Sequence, residues 1–207
     1  MVKKIRSLVQ DKNLVNERRQ QIASAALKVF LTKGYEITGM RDIMKASKMS
    51  SGGIYNYIGS KNDILHLIVL NTVMDPLLVS DYIKQFDNNS STVVLSNAIT
   101  GYFQNVDSIS KQILLFYRYL RTFSQKDVDR IIASQIHEVT FFEQLIKEGI
   151  KREEFKCDNP TLLANDIVTI GHSWVLRQRY LHQNFTLEEY TKYHIRMVLD
   201  LLRVKKD

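Results

Sequence analysis

The tetrad Ser50-Ser51-Gly52-Gly53 has the residue types of an anion-binding helix start. Ser50 is suited to cap a short helix over residues 51–58, and the two glycines leave its first turn unobstructed. Exposed N–H groups and the positive end of the helix dipole can then approach phosphate, and small side chains let such a helix sit deep in a major groove. Bond-making chemistry is absent by comparison. The five histidines, at 66, 137, 172, 182 and 194, form no HExxH pair or other metal spacing, and no phosphate-binding glycine loop or nucleophile elbow is present. Glu153 and Glu154 are adjacent on a helix end and face apart, so they are no acid/base pair. Cys157 is the single cysteine and reads as an ordinary surface or half-buried thiol of a reducing cytoplasm. No enzyme, metal site or cofactor is expected.

Charge sharpens the anion-binding reading. Residues 1–62 carry 12 Lys/Arg against 4 Asp/Glu, a net +8, whereas residues 63–207 carry 17 against 18, a net −1. The whole positive excess of the chain therefore sits on the segment that holds the tetrad, as in a polyanion-binding module joined to a neutral domain. A solvated basic face would have the same arithmetic. No stretch approaches the ~18 apolar residues of a membrane span, so a soluble, cytoplasmic protein is expected.

Helical periodicity sets the elements that must position these groups. Ile22, Ala25, Ala26, Val29 and Phe30 recur at three- and four-residue spacing in a helix over 17–33, closed by Gly34. Thr38 is placed to cap a second short helix and Ser60 a fourth, with Asp63 three residues on. The region 38–58 thus has the geometry of a helix-turn-helix, with a tight turn at Lys48–Met49 and Ala46 as the small residue at the crossing. Beyond it, Asp75-Pro76 reads as a helix start and 87–91 as a polar loop. Long helices are predicted over 92–105, 108–123, 126–151, 160–182 and 187–204, with Thr186 and Glu189 as a capping box. The fold class is all-α: an N-terminal three-helix DNA-binding domain over 1–62, its ordered core from about residue 15, and a larger helical domain over 63–207.

These residues together resemble the TetR family of transcriptional regulators. The likeness runs from Glu17 to His66, about a quarter of the chain, through Ile22-Ala23, Ala26, Phe30, Lys33-Gly34-Tyr35, Thr38, Ile43, Ala46, Met49-Ser50-Ser51-Gly52, Ile54-Tyr55-Asn56-Tyr57 and Ser60 to Leu65. It implies a homodimer that binds a double-stranded DNA operator, with a C-terminal domain that dimerises and binds an effector. Carried over position by position, it implies that Thr38, Tyr57 and Lys61 contact phosphate. Ser50, Ser51 and Gly52 would bring the recognition helix to the groove, and Asn56 would reach a base edge or phosphate. Arg41, with Lys45, would flank the phosphate track or stand as solvated charge, and Tyr55 would pack against the first helix. Phosphate contacts fix register rather than sequence preference. Three positions depart from the family. Lys48 replaces a turn glycine and is expected in left-handed backbone. Ile58 replaces an aromatic, and Gly53 weakens the recognition helix by up to ~1 kcal/mol relative to alanine.

The larger domain is less constrained. Leu163, Ile167, Ile170 and Gly171, with Met197 and Leu201, have the spacing of a buried seam between two-fold-related helices, or of ordinary core. Phe103, Phe116, Tyr117, Phe141 and Trp174, with Arg121, His137, His172 and Arg177, form an aromatic set with a few polar groups. They read either as core or as the lining of an effector site for an apolar molecule with an anionic head, of lipid-like or acyl-thioester type. The expected function is a repressor released from its operator by that effector. A DNA-binding protein with a structural, non-transcriptional role is the alternative.

Overall fold

The computed structural model describes residues 7–70, 79–123 and 125–202, and among them every regular element is helical. The predicted start at Asp75-Pro76 lies outside the described residues. The chain divides into two compact units. Unit 1 comprises residues 1–73 and 115–129, and unit 2 comprises 74–114 and 130–207. The boundary expected between 62 and 63 falls inside unit 1, within the first turn of a helix.

Unit 1 is built on α1 (Lys12–Lys33), α2 (Met40–Ser47), α3 (Ser51–Tyr55) and α4 (Lys61–Leu70). α1 begins five residues before the start expected at Glu17, because Asp11 accepts the N–H groups of Asn13 and Leu14. Gly34 closes it at φ 90°, a left-handed value glycine reaches without strain, and returns its N–H to the Phe30 carbonyl. Ile22, Ala26, Phe30, Ile43, Ile54, Ile58, Ile64 and Leu65 are all at most 2% exposed and form the core on which the four helices rest. Tyr119 packs on Tyr35 at 4.9 Å, and Phe123 stacks on His66 at 4.8 Å.

Two expectations about caps and crossings are corrected. Thr38 does not cap α2. The cap is Gly39, whose N–H is accepted by Asp42 at 2.8 Å, while the Thr38 hydroxyl donates to the Gly34 carbonyl at 2.6 Å. Gly34 turns the chain so tightly that Thr38 is drawn into the turn instead of the helix start. The small residue buried at the α2 crossing is Ser47, 3% exposed, whereas Ala46 faces solvent.

Unit 2 contains α5 (Val79–Gln85), α6 (Ser91–Ser108), α9 (Pro160–Leu176), α10 (Gln178–Asn184) and α11 (Leu187–Leu201). It also takes the start of α7 (Ser110–Tyr119) and most of α8 (Gln125–Lys151), helices that run across the division. The helix expected over 160–182 is broken at Arg177, which ends α9 and begins α10. Thr186 and Glu189 make the predicted capping box of α11. The core joins Val94, Leu95, Ala98, Tyr102 and Phe103 of α6 to Phe142, Leu145 and Ile146 of α8, Ile167 and Val175 of α9, and Val198 of α11.

Candidate nucleic-acid interface

Recognition-helix geometry follows from three local devices. Lys48 ends α2 at φ 56° and ψ 34°, the left-handed conformation its sequence position predicted. That bend lets Ser50 cap α3 by accepting the Gly53 N–H at 3.1 Å. Buried Ile54 and Ile58 then pin the helix, at 0% exposure each. From behind, α1 holds both ends of the motif: Gln21 Nε2 donates to the Ser47 carbonyl at 3.0 Å, and Arg19 Nε to the Tyr57 carbonyl at 3.1 Å. What remains outward is Ser50, Ser51, Gly52 and Tyr55, all exposed. A methyl group on Gly52 would meet nothing within 4 Å, so the helix start is open, while one on Gly53 would sit 3.0 Å from the Ser50 cap oxygen.

Several cations of unit 1 are already engaged within it. Arg19 and Lys61 hold backbone, and Lys33 is paired with Asp42 at 2.8 Å. Arg41 and Lys45 are exposed on α2 at four-residue spacing, which places them on one helix face, and Lys48 is exposed at its C-cap. This stripe leads directly into the open start of α3.

The other contact positions implied by resemblance are less free. Thr38 is 2% exposed with its hydroxyl turned inward. Lys61 Nζ donates to the carbonyls of Tyr35 at 2.7 Å and Glu36 at 3.2 Å, and lies 4.3 Å from the centre of the Tyr35 ring. It therefore ties α4 to the turn after α1. Asn56 and Tyr57 are half-buried just beyond α3. Tyr55 is corrected in the opposite sense: expected against α1, it is 44% exposed. The five-residue α3 puts Ile54 inward, and the adjacent side chain, about 100° further round, faces out.

The expected effector set divides between the units. Phe116, Tyr117 and Arg121 fall in unit 1; Phe103, His137, Phe141, His172, Trp174 and Arg177 fall in unit 2. Phe103, Phe141 and Trp174 are core, with Trp174 Nε1 donating to Asp107 at 2.8 Å, whereas Tyr117, Arg121 and His137 face solvent. Only Arg177 lines the pocket of about 620 Å³ that opens between α9, α10 and α11, beside Ser173, Tyr180, Leu181, Phe185, Glu189, Tyr190, Tyr193 and His194. The aromatic signal was real, but helical spacing alone does not say which ring lies inside. The seam residues divide likewise. Leu163, Ile167 and Gly171 face their own protomer's core, Ile170 and Met197 are half-buried, and Leu201 is 56% exposed. Leu162 and Leu176, 60% and 46% exposed on α9, were missed.

One half-buried acid was not anticipated. Glu138 of α8 accepts the Tyr102 hydroxyl at 3.0 Å inside unit 2. Burial raises its pKa from the ordinary 4.5 to about 7, against the opposing pull of that hydrogen bond. Because the folded protein holds this proton more tightly than the unfolded chain, the group's contribution to stability is complete below about pH 4.5. It is lost as pH rises through about 7, at a cost of roughly 3 kcal/mol. Glu138→Gln should therefore flatten the decline of the urea midpoint between about pH 5 and pH 8. A wild-type decline retained in the variant would refute the assignment.

Among the described residues no group of His, Cys, Asp and Glu could hold a metal ion, and no helix is long and apolar enough to cross a membrane.

Comparison with known proteins agrees with this geometry. The family model described as bacterial regulatory proteins, tetR family, matches residues 22–68. The HTH-type transcriptional regulator HbdR of Aromatoleum sp. (strain CIB) is 31% identical over 189 residues, covering 91% of this chain and 82% of its own. A tetR-family regulatory protein from Rhodococcus RHA1 superposes with a TM-score of 0.75 at 19% identity, covering 92% of this chain and 99% of its own. AibR, solved in complex with isovaleryl coenzyme A and operator DNA, superposes at 0.65 with 19% identity, covering 90% and 99%. No catalytic family is indicated by these relatives. With its helix-turn-helix, its basic unit 1 and its helical unit 2, the chain belongs to the tetR family of DNA-binding transcriptional regulators.

Proposed function

We propose that the protein is a homodimeric repressor that leaves its operator when a small, largely apolar effector binds unit 2. The observation that carries the DNA half is the α2 stripe of Arg41, Lys45 and Lys48 running into the open, Ser50-capped start of α3. Phosphate anchoring by the stripe would set the register in which Ser51, Gly52 and Tyr55 meet base edges. Two copies would join through α9 and α11, whose exposed Leu162, Leu176 and Leu201 need cover. Half-sites about one helical turn apart follow from such a two-fold.

The effector reading is supported by the pocket at the α9–α10–α11 elbow. Tyr180, Phe185, Tyr190 and Tyr193 supply apolar walls, and Arg177 supplies one cation for an anionic head or a coenzyme A phosphate. Isovaleryl coenzyme A on AibR makes acyl thioesters the first compounds to try. Since the pocket lies on the helices proposed to dimerise, a ligand there would bias the separation of the two recognition helices. It can weaken DNA binding only by its differential affinity for the two dimer states.

The test is genomic footprinting followed by titration of the bound fragment with acyl thioesters and fatty acids. Binding at a few promoters, released by a compound whose effect Arg177→Ala abolishes, supports the reading. Dispersed sites across the genome would instead favour a structural DNA-binding role. Tight promoter binding unmoved by every compound that raises the melting temperature would remove the effector half.

A further inference from the structure

By composition α3 is a weak helix. It has five residues, two of them glycine, and a helix of that length does not hold itself in place. Ser50 caps its start and buried Ile54 pins its inner face, but its far end leaves carbonyls that no later turn can bond. Two consecutive ones, on Asn56 and Tyr57, are taken up from outside the helix-turn-helix. Arg19 of α1 donates to the Tyr57 carbonyl at 3.1 Å. The Leu8 N–H donates to the Asn56 carbonyl at 2.8 Å, and the Ser7 hydroxyl lies 3.2 Å from the same oxygen.

Residues 7–10 have the form such a tether needs. Ser7 and Val9 are half-buried while Leu8 and Gln10 are exposed, the alternation of an extended segment laid on a surface. Ser7 also accepts the Val9 N–H at 3.1 Å, which fixes the local bend, and Asp11 then carries the chain into α1 as its N-cap. Both tethers on the end of α3 therefore start in α1 or in the segment that leads into it. We propose that Ser7 and Leu8 are positioning residues for DNA recognition: by holding the Asn56 carbonyl they fix the angle of α3 on α1, and with it the base edges that α3 reaches. They act through α3 and not by contact with DNA, and the inference rests on α3 being the reader, as proposed above. The physical content is preorganisation. A helix already held needs no ordering when it docks, whereas a frayed one is ordered at the expense of affinity. That expense falls on base contacts, which need a single geometry, and not on the phosphate contacts of α2, which carry no sequence information.

The experiment uses the full chain, the duplex that it enriches from a random-sequence pool, and an unrelated duplex of equal length. Ser7→Ala removes the hydroxyl and Ser7→Thr restores it. Leu8→Pro deletes the N–H donated to Asn56; the Leu8 side chain is 63% exposed, so little packing is removed. Binding to the enriched duplex should weaken about threefold in Ser7→Ala and about tenfold in Leu8→Pro, with Ser7→Thr close to the parent. Binding to the unrelated duplex, and the salt slope on both, should stay at parental values because no phosphate contact is touched. The Tyr57 and Ile58 N–H groups, both bonded to the Ile54 carbonyl, should exchange faster in free Leu8→Pro than in the parent. Equal losses on the two duplexes would make the segment a general support of unit 1 and overturn the proposal. So would parental affinity for the enriched duplex in both Ser7→Ala and Leu8→Pro. A parent that enriches no sequence would overturn the reading of α3 on which this rests; the exchange rates, measured without DNA, separate that failure from a failure of the tether.

Discussion

Replacing Arg41 and Lys45 by Gln and Lys48 by Asn should weaken DNA binding roughly 10²-fold or more at physiological salt while leaving the protein folded. All three side chains are exposed, so little native packing is removed. Asn at 48 keeps the left-handed φ of 56° that Lys48 adopts, because its short amide tolerates that region better than most side chains. The salt slope should become shallower by about 0.9 for each phosphate that is no longer neutralised, and affinity should fall similarly for specific and unrelated duplexes. Lys61→Ala offers the contrast. Its ammonium holds the carbonyls of Tyr35 and Glu36, so its removal should lower the melting temperature first and affect DNA only through a loosened unit 1. Equal thermal stability with unweakened binding in the stripe variant would move the phosphate track off α2.

The contrast also shows where charge counting stops being informative. A net +8 over residues 1–62 correctly marks the module, yet it assigns the same weight to Arg19, Lys61 and Arg41. Two of these hold backbone and one faces solvent. Long cationic side chains reach distant carbonyls, and that reach depends on how helices cross, which no spacing rule contains. The Lys48 turn, the Ser50 cap and the Gly34 stop were legible because each depends on residues within one turn of chain. Thr38 and Tyr55 were misread for the opposite reason. Whether Thr38 caps a helix or closes a turn depends on the path set by Gly34. Whether Tyr55 is inside depends on which face of a five-residue helix meets α1.

In unit 2 the elements were largely visible and the faces were not. Thr186 with Glu189 announced its helix through local hydrogen bonds, and that capping box is present. Periodicity over 160–182 had no way to register the break at Arg177, since no proline or glycine marks it. More basically, a helix packed on two sides is apolar around most of its circumference. α9 is of this kind: Leu163, Ile167 and Gly171 look inward while Leu162 and Leu176 look out. One sequence without a partner cannot tell an inner face from a face meant for a second copy.

Gly171 decides that question at one position, and its substitution has the second large effect. A Cβ added there would lie 2.6 Å from Cε1 and 3.3 Å from Cδ1 of Tyr102, and 3.4 Å from Cδ1 of Phe103. Tyr102 is fully buried, in edge contact with Phe142 at 5.3 Å, and its hydroxyl is engaged by Glu138. The ring therefore has no open direction in which to retreat. Alanine normally favours a helix over glycine by about 1 kcal/mol, so a surface Gly171 would make Gly171→Ala stabilising. Overpacking a closed core costs about 1–3 kcal/mol or more, and here it should win. Displacing Tyr102 would also disturb the hydrogen bond that holds Glu138, so the destabilisation should grow as pH rises past about 7, where the carboxyl must ionise without its partner. Urea denaturation of Gly171→Ala at two pH values, with Tyr102→Phe as a companion, reads both parts. A midpoint at or above that of the parent would show that the Tyr102 ring gives way and that the core around Gly171 is not closed.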